Sequence, residues 1–391
     1  MRRNVFFGFA MLAAVAPVCL FAAESDITRA IGVVDAVKTR LASDKRQIIY
    51  DVRVEPASDG RVLIDGTISE GAVADSLVAA LDAAALPYVN SVSVSPSDRW
   101  ALPKIAVANM RTTPGHGAEM ASQALMGMPL RLLEKQGDWW RVQSPDGYIA
   151  WVVDNSLAFK TYDEMKKWRS APRVVVTSIY QTRAYNSPSA TGVREVVTDL
   201  VNGDIVELAS SKAEKGRLRV ILPDGREGWV ASADVTPIVD WAAQNFDAQR
   251  ILDMAYSMEG QPYLWGGTST KSLDCSGLAK VSYLSNGIIL RRDASQQALT
   301  GRRIEARDWR DCRAGDLLFF GNAKTGRVTH VAIYDSNGDY VHSSGRVKRN
   351  SVDPTSPTYL TTPFLHAVRI DGCEGTDGIT PARNHPWYFN L

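Results

Sequence analysis

Tyr263-Leu-Trp-Gly-Gly-Thr-Ser-Thr-Lys-Ser-Leu-Asp274-Cys275-Ser276-Gly277 is the stretch on which the reading of the C-terminal part turns. A Gly-Gly turn and a polar loop run into Asp274-Cys275-Ser276, and Leu278, Val281 and Leu284 follow at helical spacing. The pattern predicts a loop-to-helix transition with Cys275 at the helix start. Backbone N–H groups there are unpaired and carry partial positive charge, which favours a thiolate, and a thiolate is the nucleophile of covalent catalysis. A small buried cysteine without chemistry fits the same pattern. Residues downstream decide between the two.

A reactive cysteine needs a base, and the base needs a partner that fixes its tautomer. Of five histidines, His116 sits in a Pro-Gly-His-Gly loop, His366 in an apolar strand and His385 in a polar tail, where a histidine is more often incidental. His330 and His342 instead lie inside predicted strands after the cysteine, so Cys275, His330 and His342 supply nucleophile, base and orienter in chain order. The same three can bind zinc, but no CxxC or HxxxH pair accompanies them and no metal is expected. Asn337-Gly338 between the histidines invites a two-residue hairpin turn. That register would put His330 and His342 on opposite faces. The orienter role therefore predicts an odd-numbered loop or a bulge.

The chain has 391 residues, enough for two to four domains, and a formal charge of +1 without a basic stripe, so nucleic acid is not an expected partner. Met1-Arg2-Arg3, an uncharged run to Ala23 and then Glu24-Ser25-Asp26 read as an export signal over 1–23, with an uncleaved anchor as the alternative. Once it is removed no integral membrane segment is expected. Cys275, Cys312 and Cys373 then remain: Cys312 and Cys373 can pair and leave Cys275 free, or both stay reduced.

Residues 24–98 alternate in type, with helical spacing over 27–41 and 72–85 and strand patterns over 48–54, 61–68 and 89–94, which predicts a small αββαβ domain. Arg141-Val142, Pro145-Asp146-Gly147 and Trp151-Val152 recur 78 residues later as Arg219-Val220, Pro223-Asp224-Gly225 and Trp229-Val230. Two small β-barrels follow from this repeat, over 104–160 and 172–237, with Trp151 and Trp229 in their cores. Residues 245–371 read as a helix, the cysteine helix and short strands at 316–320, 328–334, 340–343 and 364–370, an α+β domain. Residues 372–391 read as a tail.

Asp274-Cys275-Ser276-Gly277, Tyr263-Leu-Trp265-Gly-Gly, Gly315-Asp316-Leu-Leu-Phe-Phe320, Thr329-His330-Val-Ala-Ile and Val341-His342-Ser together resemble the NlpC-type cysteine peptidases. The N-terminal domain resembles BON-type domains, and the paired barrels resemble bacterial SH3-type domains. The resemblance implies a multi-domain protein: an N-terminal α+β domain, two SH3-like β-barrels and a C-terminal α+β papain-like catalytic domain. It implies an exported, periplasmic or wall-associated γ-D-glutamyl-L-diamino acid endopeptidase without cofactor, acting on peptidoglycan-derived peptides L-Ala-γ-D-Glu-diamino acid. A free ammonium wants a carboxylate, so Asp274, Asp293 and Glu119 are its candidate acceptors; Tyr263, Trp265, Ser276, Arg292 and Tyr148 complete the candidate substrate contacts. A thioester acyltransferase or acyl hydrolase on the same fold, or a wall-binding protein without activity, are the alternatives.

Overall fold

The computed structural model describes residues 24–390, so the export-signal segment lies outside the described residues. Two compact units divide the chain at Ser95 and Pro96. In the first, helices Glu24–Leu41 and Gly71–Ala83 cover a sheet in which Tyr50–Pro56 pairs antiparallel with Val62–Ile68, and Val62–Ile68 parallel with Tyr88–Val94. The helical spacing does the work: Ala30, Val34 and Val37 from one helix and Val73, Leu77 and Leu81 from the other meet Val62, Ile64 and Ile68 in one apolar core. Among the described residues no helix is long and apolar enough to cross a membrane.

The second unit begins with two seven-stranded antiparallel sheets. The repeated hairpin is Trp139–Gln143 with Ile149–Val153 in the first, and Arg217–Ile221 with Glu227–Ala231 in the second. Side chains alternate along a strand, so Val152 and Val230 fill the cores at 0% exposure. Trp151 is buried with Arg141 over its ring, at 5.9 Å, but Trp229 is only partly buried, which corrects the expectation of a core tryptophan there.

A six-stranded antiparallel sheet carries the C-terminal part, in the order Arg302–Glu305, Phe364–Arg369, Leu317–Gly321, Val328–Tyr334, Asp339–Ser344, Arg346–Ser351. The two outermost strands went unread in the sequence because Arg-Arg-Ile-Glu and Arg-Val-Lys-Arg-Asn-Ser carry the charges that edge strands use to avoid pairing with other chains. Helices Ala248–Ser257 and Cys275–Ser285 pack on the sheet through Ile251, Leu252, Ala255, Leu278 and Val281. Residues 372–390 are no loose tail. Ile379–Pro381 pairs with Ile288–Leu290, Trp387 meets the Trp100 ring edge-on at 5.0 Å, and the Tyr388 carbonyl accepts from Arg173 at 2.8 Å. His385, read as part of a polar tail, is buried, and its Nε2 bonds the Pro145 carbonyl at 2.9 Å.

Candidate active site

A cap sets the position of the cysteine. Asp274 Oδ1 accepts from the Gly277 N–H at 2.7 Å, so the helix starts at Cys275. Asp274 Oδ2 accepts from the Gly266 N–H at 2.9 Å and ties the Gly-Gly turn to the helix head. Gly277 admits no side chain, because a Cβ would lie 1.9 Å from the Gly267 carbonyl oxygen. Arg292 clamps the arrangement from below, with Nη2 at 2.6 Å from Asp274 Oδ2 and Nη1 at 2.9 Å from Ser276 Oγ.

Asp274, Ser276 and Arg292 are thus buried and bonded to one another. These three side chains, expected as substrate contacts, bond one another and the Gly266 and Gly277 amides and so hold the Cys275 backbone.

His330 and His342 come together on one face of the sheet. The strands close at Asp335 and Asp339, whose backbones bond at 2.9 Å, and leave three loop residues, 336–338. Asn337 and Gly338 take the turn with φ of 54° and 92°. Ile333 then opposes Val341. In that register the two imidazoles meet, His330 Nε2 lying 2.7 Å from His342 Nδ1. His342 Nε2 lies 3.0 Å from Asn350 Oδ1 on the neighbouring strand. A bulge at Thr329, where Phe320 opposes His330 but Gly321 opposes Val328, re-aims the strand just before the histidine.

The thiol meets this face one residue on, where the Val331 amide is directed at the Cys275 sulfur. Burial and the Asp274 carboxylate push the thiol up to about 11, against the pull of the Val331 and Ser276 amides and of Arg292. Desolvation here opposes the helix terminus on which the expectation of a thiolate rests. Burial, His342 and Lys348 push His330 down to about 3, and burial, with Lys348, pushes His342 down to about 4 against its Asn350 bond. Charge is thus disfavoured by burial on the thiol and on both imidazoles alike. Burial, with the charges of Cys275 and Asp274, pushes the Tyr263 hydroxyl up.

The first barrel closes on the same stretch. Trp265 is 62% exposed, and its Nε1 donates to Glu119 Oε1 at 2.6 Å. A Cβ on Gly266 would lie 2.3 Å from the Met120 carbonyl oxygen, so barrel backbone touches the loop directly. Tyr148 is buried in the barrel core, with its hydroxyl acting on Arg292. Asp293 caps the short helix Ala294–Gln297 and keeps its side chain 28% exposed. Sequence reading missed Gln123, whose Oε1 accepts from Thr268 N at 2.9 Å, Ser269 Oγ at 2.9 Å and Ser272 Oγ at 3.1 Å. It missed Asn350 as well. Neither sits in a motif with local spacing; only their partners across the fold identify them.

Cys275, Cys312 and Cys373 are all free thiols, and among the described residues no three His, Cys, Asp or Glu side chains gather as metal ligands.

Residues 260–369 match the NlpC/P60 family, and residues 110–157 match the bacterial dipeptidyl-peptidase Sh3 domain. A gamma-D-glutamyl-L-lysine dipeptidyl-peptidase of Bacillus cereus is 26% identical over 286 residues, 68% of this chain and 80% of that protein. The protein named probable endopeptidase NlpC of Escherichia coli is 36% identical over 121 residues, 30% of this chain and 75% of its own length. A crystal structure of an NlpC/P60 family protein from Bacillus cereus superposes with a TM-score of 0.60 at 22% identity, covering 70% of this chain and 99% of that one, a likeness of fold. On the family match over the cysteine helix and the histidine strands, and on its identity to most of the Escherichia coli protein, the chain belongs to the NlpC/P60 family.

Proposed function

We propose that this chain is an exported cysteine endopeptidase that hydrolyses the γ-D-glutamyl–diamino acid bond of peptidoglycan stem peptides with a free N-terminal L-Ala. One observation carries the chemistry: a capped helix presents Cys275 to a strand whose next residue, His330, is hydrogen-bonded to His342 at 2.7 Å. Export rests on the pattern of residues 1–23, and the bond cleaved on the names of the matched dipeptidyl-peptidases.

His330 takes the proton from the Cys275 thiol as sulfur attacks the glutamyl carbonyl carbon. A high thiol pKa means that proton transfer accompanies attack rather than precedes it. The oxyanion lies at the Cys275 N–H, one of the unpaired donors of the helix start. Collapse breaks the C–N bond, and His330 returns its proton to the departing amine. Water, losing a proton to His330, then cleaves the thioester and restores the thiol. His342 steadies the imidazolium formed in both halves.

Glu119 supports the free-amine preference, because it brings a carboxylate from the first barrel to Trp265 at the edge of the cysteine loop. Asp293 offers a second carboxylate, partly buried and 3.9 Å from Arg292.

The test is mass spectrometry of L-Ala-γ-D-Glu-diaminopimelate, and of its N-acetylated form, incubated with the protein or with Cys275→Ala. The expected products are L-Ala-D-Glu and diaminopimelate from the protein alone, with the acetylated peptide slowed roughly tenfold or more by an unpaired carboxylate. Equal rates would remove the free-amine clause. Transfer of the dipeptide to an added amine without hydrolysis would favour the acyltransferase, and no product at all would sink catalysis.

A further inference from the structure

We propose that Asn350 is a positioning residue that sets the tautomers of both histidines, an inference that rests on the cysteine-peptidase reading above. Its amide is oriented from outside. Asn350 Nδ2 donates to the Thr358 carbonyl at 2.8 Å, which turns Oδ1 toward His342 Nε2 at 3.0 Å. An amide oxygen only accepts, so His342 carries its hydrogen on Nε2. Its Nδ1 is then bare, and His330 Nε2, 2.7 Å away, must donate to it. That leaves the lone pair of the His330 ring on Nδ1, the nitrogen free to take the thiol proton.

Reversing one tautomer reverses the rest. With hydrogen on His342 Nδ1, His330 would have to accept at Nε2 and carry hydrogen on Nδ1. A donor would then face the thiol where an acceptor is needed.

The neighbours leave this duty to Asn350. Lys348 opposes His342 across the strands, but an ammonium only donates. The Tyr340 ring stands edge-on to His342 at 5.1 Å and closes its remaining side. Asp274 and Lys348 are the charges that act on His330, from the helix cap and the edge strand, and neither hydrogen-bonds His342. When His330 becomes an imidazolium, its Nε2–H still points at His342 and the His342 Nε2–H still points at Asn350. The chain of dipoles needs no rearrangement during turnover.

Histidine labelled with nitrogen-15 in the full-length protein reads this directly, because long-range proton–nitrogen correlations distinguish the two ring tautomers. The unaltered chain is expected to show hydrogen on Nε2 of both His330 and His342. In Asn350→Leu, His342 is expected to populate both tautomers and kcat to fall roughly tenfold or more, with KM within about twofold. Asn350→Asp keeps an accepting oxygen and is expected to recover the Nε2–H tautomer and most of the rate. Hydrogen on His342 Nδ1 in the unaltered chain would overturn the proposal, whatever the variants do. So would a loss in Asn350→Leu carried by KM, or by a lower melting temperature with tautomers unmoved, since that is a purely structural role. The tautomer measurement needs no turnover, so a chain that cleaves no peptide would defeat the peptidase reading and leave this result legible.

Discussion

The two barrels derive from one repeated pattern, yet they treat the same residues in opposite ways. Asp146 in the first is buried against Lys280 of the cysteine helix, with Ser144 Oγ donating to it at 2.5 Å; its counterpart Asp224 is exposed and pairs only with Arg226, at 2.8 Å. Each barrel also ends a strand two residues before a left-handed glycine, Gly127 or Gly203, and counting back four places aligns Gln123 with Asp199. Gln123 is a buried hub for the hairpin that leads into Cys275, whereas Asp199 reaches only Lys271 at that hairpin's tip, in a surface ion pair. The repeated pattern supplies the same sheet hairpin in both copies. Burial against the catalytic part is what gave one copy a grip on the nucleophile's loop.

The largest contrast is expected at the paired aspartates. Asp146→Asn leaves Lys280 without its partner in a buried position, a loss of about 3–5 kcal/mol, against at most about 1 kcal/mol for Asp224→Asn at the surface. Denaturant melts of both variants measure it. Acid gives an independent check. Burial raises the Asp146 carboxyl, but Lys280 and the hydrogen bonds outweigh it and hold the group below its ordinary value. The folded pKa is depressed, so the pair's contribution is complete above about pH 3.9, the unfolded value, and fades as pH falls through the folded one. The stability gap between the unaltered chain and Asp146→Asn should therefore narrow as pH falls through that window. Equal losses in the two variants would break the comparison.

A smaller contrast is expected at Gln123 and Asp199. Gln123→Ala strands buried donors on Thr268, Ser269 and Ser272, which costs about 2–3 kcal/mol. Because those residues lead into Cys275, kcat should fall with it, roughly tenfold for a slightly misplaced nucleophile. Asp199→Ala should cost under about 1 kcal/mol, leave kcat unchanged and lose even that difference in 1 M salt. Peptide turnover beside melting curves measures both. A kcat unaffected by Gln123→Ala would reduce the first barrel to a spacer.

Local chemistry made much of this molecule legible. Asp274 before an apolar-periodic run announces a helix start, the two Asp-Gly turns announce the repeat, and the parity of the strand carrying His342 demands an odd-numbered loop or a bulge, which the structure meets with a loop of three residues. What stayed hidden depends on distance. Pro-Asp-Gly reads identically at Asp146 and Asp224, and only the approach of Lys280 separates a buried ion pair from an exposed turn. The buried pair of Arg292 with Asp274 was hidden because its partners lie 18 residues apart and meet only in the fold. Asn350 was invisible because its strand is a charged sheet edge, patterned to resist pairing rather than to advertise a strand.

The smallest contrast tests whether polar partners, and not the turns themselves, separate the two copies. Gly147 and Gly225 both hold left-handed backbone, with φ of 82° and 86°. Alanine at either should cost about 1–2 kcal/mol, the penalty of a Cβ in that region. At Gly147 the new Cβ also meets Arg291 Nη1 at 2.9 Å, but that is the end of a flexible side chain, whereas Gly225 faces open space. The two variants should therefore melt within about 0.5 kcal/mol of each other, since a long side chain can swing aside at little cost. A gap of several kcal/mol would place the divergence in backbone fit at the Asp146 turn, and the buried Lys280 pair would then be a consequence of that fit, not its cause.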